Sequence, residues 1–439
     1  MKRMMTIAAT FAAFTVCAQA QEEATPEQVQ ADAAELNEVV VPIKTNKDKI
    51  EEEFDAFAKA SGITYGIPDK KGAVYFKKYM RVEVNVDHPR FIQSRTMAYE
   101  KAYMDALTEY VMDQFGREMI EKLREYVSDD SDYQMDKPVP KKAVDGVWKK
   151  TKALSEAKLD NALRKEGVDP TKIDGKSDAE KRVLFRDAIL NKSIKRASGS
   201  TAGIVPIQTF EARDPRGNYA VGVILKAGPS VKEVAAAMKR KQLPSSTLLR
   251  SGGKTVQDIL PQGDAIMKSF GVRLFFNEKG LPSLISFGQF GVAYTGKDER
   301  QLERSQDTAI KQATAQADSA ITAFINSSIS AQSENTSGEV AEQTRQIAES
   351  GDFTDSDMTK FVNRVVETSR LVGEDTLKGR STVYSKVLKH PSSGHWVAVV
   401  VRQWNYDLAG VNIQEPTKPE AAQPKPKTDG VERGDIFDF

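Results

Sequence analysis

Few residues of this 439-residue chain carry groups suited to chemistry, and their spacing does not assemble a reaction centre. There are three histidines. His88 precedes Pro89 at a strand-to-helix corner, where capping or surface exposure accounts for it. His390 and His395 flank a hairpin turn, but no Asp, Glu or Cys nearby completes a metal site, so both read as turn residues. Ser251-Gly252-Gly253-Lys254-Thr255 has the end of a phosphate loop without its first glycine or the buried strand before it. No HExxH and no nucleophile elbow occurs. Asp87, His88 and Arg90 form one polar cluster at a strand end, with Asp87 read as the N-cap of the next helix. Trp396, Trp404, Tyr219 and Tyr406 could line a ligand groove, yet aromatic residues at alternating strand positions more often pack against a helix. The expectation is no catalytic, cofactor-binding or metal-binding residue, and no cofactor.

The elements that would position such groups occur nearly twice. Phe54-Asp55-Ala56-Phe57-Ala58-Lys59-Ala60-Ser61-Gly62-Ile63 is answered by Gly263-Asp264-Ala265-Ile266-Met267-Lys268-Ser269-Phe270-Gly271-Val272. In the first copy the apolar spacing predicts a helix over 47–60, strands over 63–67 and 73–86 around a turn at 68–72, and a long helix over 89–126. Ala98, Ala102 and Ala106 give that helix a flat ridge for close packing. Helical patterns at 142–165 and 178–196 follow, then a hairpin of 204–212 and 218–226 about Asp214-Pro215-Arg216-Gly217. The second copy predicts a helix over 254–269, strands at 272–276 and 282–294, a long helix over 299–330 with Ala309, Ala313 and Ala317, a helix at 356–371, and a hairpin of 381–389 and 395–404. The fold class expected is α+β: two tandem modules, each a mainly antiparallel four-stranded sheet under a long alanine-ridged helix. Module one covers 41–228, with its own helical insertion at about 136–180; 229–253 connects, opening on a short helix to about residue 239; module two covers 254–408, with a polar loop at 331–352.

Both ends read differently. Lys2 and Arg3, the apolar run 4–16 and Ala18-Gln19-Ala20 follow the pattern of a secretory signal cleaved near Ala20. Phe14-Thr15-Val16 before Cys17 lacks the usual residues of a lipidation box, and the run is short of the roughly 20 apolar residues that span a bilayer. Cleavage removes the single cysteine, leaving a mature chain without disulfide or thiol nucleophile. It also leaves 61 basic residues against 62 acidic, so no net field draws in nucleic acid or anionic lipid. Residues 21–40 read as a leader, and 409–439 as a Pro/Lys-rich tether with an apolar tip at Ile436, Phe437 and Phe439. A final Phe beside a free carboxylate suits strand-addition pockets that capture chain ends.

Val82 to Val86 leading into Arg95, Ala98, Ala102 and Ala106, then Asn218 to Val223, are similar to a small domain of bacterial envelope proteins. Arg304, Ala309, Ala313, Ala317 and His395 to Val401 show it a second time. That domain occurs in certain surface lipoproteins and at the N-terminus of flagellar assembly protein T. The resemblance covers about half of each copy and implies an envelope binding or assembly part without catalysis; it transfers no functional residue. The function expected is therefore a periplasmic or secreted interaction protein of the cell envelope, whose partner is another envelope protein, with no nucleic acid and no membrane span in the mature chain. The alternative is a hydrolase-type enzyme or small-ligand binder with its site in the cleft between the modules.

Overall fold

A computed structural model describes residues 44–126, 154–199, 203–330 and 378–411. The signal sequence, the leader, the loop at 331–352, the helix expected at 356–371 and the tail tip of Ile436, Phe437 and Phe439 lie outside the described residues.

Helix α1, Asn46–Ser61, starts at a reciprocal cap. The Thr45 hydroxyl accepts the Asp48 N–H (3.3 Å), and the Asp48 carboxylate accepts the Thr45 N–H (2.9 Å). Gly62 ends the helix at φ +66°, a conformation that suits glycine. The expected strand at 63–67 is only an isolated bridge between Tyr65 and Tyr75. Gly66 turns the chain at φ +73° and Pro68 has no N–H to give, so the pairing stops there. Strand β1, Val74–Arg81, ends five residues before the expected boundary. Val82 still donates to the Tyr219 carbonyl (2.9 Å), but His88 then bonds back to Asn85 (3.0 Å) and the chain bends into the next helix.

Helix α2, Phe91–Arg124, spans roughly 50 Å. Its N-cap is Arg90, not Asp87, and the local contact is the Arg90 N–H donated to His88 Nδ1 (3.1 Å). Ala98, Ala102 and Ala106 are buried, and the helix lies on β1 and β3. Two helices follow, α3 (Glu156–Lys165) and α4 (Asp178–Gly199). They are tied to the end of α2 by Glu166, whose carboxylate accepts from the Tyr126 hydroxyl and pairs with Lys192 (2.8 Å). Strands β2 (Ile204–Arg213) and β3 (Tyr219–Ala227) form the hairpin, and Asp214 Oδ1 accepts the N–H groups of Arg216 and Asn218 (both 2.9 Å) to set its turn. Helix α5, Pro229–Arg240, leads to the second half.

There the helix expected over 254–269 is absent. Val256–Ile259 is a single helical turn and Gly263–Lys268 is a 3-10 turn. Leu260 is extended ahead of Pro261, which cannot continue a helix. The remaining elements are β4 (Gly271–Phe276), β5 (Pro282–Gly291), α6 (Glu299–Ser330), β6 (Arg380–Lys389) and β7 (Trp396–Trp404).

The chain is α+β with two antiparallel sheets, ordered β1-β3-β2 and β4-β5-β7-β6. Sheet one has three strands rather than four, since 63–67 contributes only its bridge. Register matches across the sheets. Ala227 faces Val74 and Ile204, as Trp404 faces Leu284 and Arg380, and a bulge follows Pro206 in β2 and Thr382 in β6. Helix α6 lies on β5 and β7 as α2 lies on β1 and β3. A single apolar cluster runs from Val74, Ala102 and Val223 to Ile285, Phe287 and Val399, so the halves share a core.

The ridge on α6 is packed to contact. A Cβ built on Gly288 of β5 would fall 1.8 Å from the Ala313 carbonyl oxygen. Ala102→Leu and Ala313→Leu are expected to overpack their interfaces, each at a cost of roughly 1–3 kcal/mol. Thermal melts check this. Met97→Ala, on the exposed side of α2, should leave the melting temperature in place.

Candidate functional site

The space between the halves is filled, and its centre is Arg95. This residue follows the first turn of α2, where the helix passes over the sheet junction. Its guanidinium donates from Nε to Glu211 Oε1 (2.5 Å), from Nη1 to Gln289 Oε1 (2.9 Å) and from Nη2 to the Met267 carbonyl, and it lies 4.6 Å over the Phe270 ring. Gln289 Nε2 in turn donates to the carbonyls of Met267 (2.9 Å) and Ser269 (2.7 Å). The other Glu211 oxygen accepts the Tyr219 hydroxyl (2.7 Å). His390, from the β6–β7 turn, meets Phe91 and Tyr219 at ring distances of 5.4 and 6.0 Å, with Nε2 at 3.9 Å from Glu211, beyond hydrogen-bond reach. The side chains of Arg95, Glu211 and His390 are 0%, 1% and 1% exposed, so the cluster is closed to solvent.

A second cation closes the seam between β2 and β4. Arg273 donates to the Ile207 carbonyl and to Thr209 Oγ1 (3.1 Å), and Thr209 donates to the Lys268 carbonyl (2.6 Å). Burial pulls the Arg273 pKa down to about 10, which still leaves it charged at neutral pH. Beside this seam Tyr99 stacks on Phe270 at 4.8 Å. The open space between Tyr99, Tyr103, Phe270 and Phe324 is about 40 Å³, far short of the roughly 300 Å³ at which ligand pockets begin.

The aromatic candidates divide in the same way. Tyr219, Trp404 and Tyr406 are buried, with Trp404 Nε1 donating to the Lys378 carbonyl (3.1 Å), while Trp396 is half-buried. His390 points into the junction rather than joining His395 around a metal. Among the described residues no group of three or more His, Cys, Asp or Glu could hold a metal ion, and no helix is long and apolar enough to cross a membrane.

The accessible feature is the outer edge of β1. Along this strand alternate residues turn their main-chain N–H and C=O toward β3 or away from it. Of the outward set, Ala73 is taken by Asp69, through the Asp69 N–H (2.8 Å) and the Asp69 carboxylate (2.9 Å), and the Tyr75 carbonyl accepts the Gly66 N–H (2.8 Å). Lys77, Tyr79 and Arg81 come next, and no described residue hydrogen-bonds to their outward main-chain groups. In sheet two the corresponding strand, β5, has β4 laid along residues 282–287.

A groove of about 340 Å³ runs beside the open edge. Glu51 and Phe54 of α1 form one wall, Glu109 of α2 the other, and Tyr65 and Gly66 close one end. Lys77 Nζ pairs with Glu51 (2.6 Å) and sits 5.2 Å from the Phe54 ring centre and 5.0 Å from that of Tyr65. Lys78 pairs with Glu109 (2.7 Å). Arg81, at the far end, is exposed and has no ion pair among the described residues. Sequence reasoning placed β1 but not its open flank, because which strand lies outermost depends on pairings far apart in the chain. The hint was Gly66 and Pro68, which weaken the one local segment able to cover it.

No curated protein sequence matches the chain. A family model described as a domain of unknown function (DUF6844) matches residues 144–240, which include α3, α4, β2, β3 and α5. Among solved structures, the chain is similar to the hypothetical protein FTT1539c from Francisella tularensis. Identity is 21%, coverage is 89% of this chain and 94% of that one, and the TM-score is 0.49.

The junction chemistry sets a pH dependence. Burial alone would raise the Glu211 pKa, but the Arg95 charge, with the Tyr219 hydroxyl, holds it below the usual carboxylate range. Burial, helped by Arg95, lowers His390 against the opposing pull of Glu211. Both groups thus bind protons less readily folded than unfolded. Their contribution is complete above the unfolded histidine value of about 6.5 and is lost as pH falls below it, first through His390 and then through Glu211. Urea midpoints should be lower at pH 5.5 than at pH 7.5, and His390→Gln should flatten that difference.

Proposed function

We propose that this protein is an exported, non-catalytic interaction or assembly part of the bacterial cell envelope, and that it holds its partner by strand addition at the β1 edge. The observation that carries the reading is the row of outward main-chain groups on Lys77, Tyr79 and Arg81, to which no described residue hydrogen-bonds, above an aromatic-walled groove. An extended peptide satisfies such groups directly, and the flanking pocket selects among its side chains. Export is supported by the charged start, apolar run and Ala18-Gln19-Ala20 of the first twenty residues. The envelope setting is supported by the resemblance around Arg95 to Ala106 and Asn218 to Val223. The hydrolase or ligand-carrier alternative needed convergent free polar groups between the halves, and Arg95, Glu211 and Gln289 there already bond to one another.

A photo-crosslinking amino acid in place of Tyr79, irradiated in intact cells, tests this. Adducts to one envelope protein, absent when the crosslinker replaces Met97 on α2, are the expected result. No adduct at position 79, or a fractionation that leaves the protein in the cytosol, would contradict the reading.

A further inference from the structure

We propose that the β1 edge is also the docking site for the chain's own C-terminal segment, residues 434–439, so that a partner strand must displace it. This rests on the strand-addition reading of that edge and names the intramolecular occupant.

Three observations converge. The first is hydrogen-bonding demand: Lys77, Tyr79 and Arg81 offer three outward N–H and three outward C=O groups, a row matched by an extended stretch of about five residues. The second is side-chain chemistry. β1 carries Lys77 and Lys78, paired with Glu51 and Glu109 of the groove walls, and Arg81, which has no ion pair among the described residues; the groove is also walled by Phe54, Tyr65 and Tyr79. The segment Gly434-Asp435-Ile436-Phe437-Asp438-Phe439 has two carboxylates, no cation and three large apolar side chains. As an added strand, it would present Phe437 and Phe439 on one face and Ile436 on the other. Asp435 and Asp438 would stand near the cations of β1, where Arg81 has no ion pair among the described residues.

The third is reach. The described chain stops at Val411, which packs against the apolar cluster that also holds Phe54 and Tyr65. From there to Asp435 the intervening residues can extend to roughly 80 Å, more than the span of a domain this size. A tether of that kind presents its end at an effective concentration near the millimolar range, so even weak strand pairing would fill the site.

A second copy of the chain suits the edge less well. The outer strand of the other sheet, β6, carries Arg380, Lys386 and Lys389 and no acid, so pairing β1 with β6, or with another β1, would set cations against cations.

The test is residue-resolved amide exchange in β1, comparing the full chain with a chain ending at residue 433. The Lys77, Tyr79 and Arg81 amides should exchange at least about tenfold faster after truncation, as expected for a docked segment at millimolar effective concentration. Lys78 and Met80, whose amides face β3, should not change and so report that the sheet is intact. Adding the hexapeptide of residues 434–439 to the truncated chain should restore protection, and the same peptide with Phe437→Asp should not. Tyr79→Pro, which removes an outward donor together with the ring in the groove wall but leaves the pairing to β3, should abolish the protection at Lys77 and Arg81 in the full chain, whereas Tyr79→Ala, which keeps the donor, should retain part of it. Equal exchange in the full and truncated chains would overturn the proposal, as would protection that rises with protein concentration alongside dimer formation. If exchange is unchanged while the crosslinker at position 79 still captures an envelope protein, the intramolecular occupant is wrong and the strand-addition reading stands. If both fail, the edge is no docking site.

Discussion

A guanidinium held at the junction of two sheets, away from water, constrains everything around it. Arg95 cannot shed its charge, and leaving it unpaired in the interior is far more costly than any packing gain nearby. Its partners come from β2, from the turn before β4 and from β5, so the requirement to satisfy one side chain places the two halves against each other. Glu211 extends the constraint to Tyr219 and, through van der Waals and electrostatic contact, to the His390 turn. Removing one member would strand the others, which in buried ion pairs costs on the order of 3–5 kcal/mol.

Closing the junction takes two strand edges out of reach. The facing edges of β2 and β4 are bridged by Arg273 and Thr209 and are lost as docking surfaces. Along the opposite edge of sheet one no described residue hydrogen-bonds to the outward backbone groups of Lys77, Tyr79 and Arg81, and two helices flank it to form a groove rather than a flat rim. Basic residues on β1 and β6 work against edge-to-edge pairing between copies of the chain.

The sequence revealed what depends on local pattern. Alanines at every fourth position located α2 and α6 and their buried faces, because burial of small residues at that spacing needs only helix geometry. The Asp214 turn and the alternation of β3 and β7 located the hairpins. Local reading failed where a backbone break outweighed a matching apolar pattern. Pro261 and the extended Leu260 turned an expected helix into a 3-10 turn, and Gly66 with Pro68 reduced an expected strand to one bridge. The buried junction was hidden for another reason. Arg95 stood in the sequence only among the residues of a resemblance that assigned it no role, and its partners Glu211 and Gln289 lie 116 and 194 residues away, so only the assembled topology could show them together.

This buried network makes the two halves one cooperative body. Native-state amide exchange under increasing denaturant measures that directly, using the slowest amides of β3 in sheet one and β7 in sheet two. Both should open with the same free energy and the same denaturant dependence. If β7 remains protected under conditions in which β3 has already opened, or the reverse, the halves are independently stable and Arg95 does not join them.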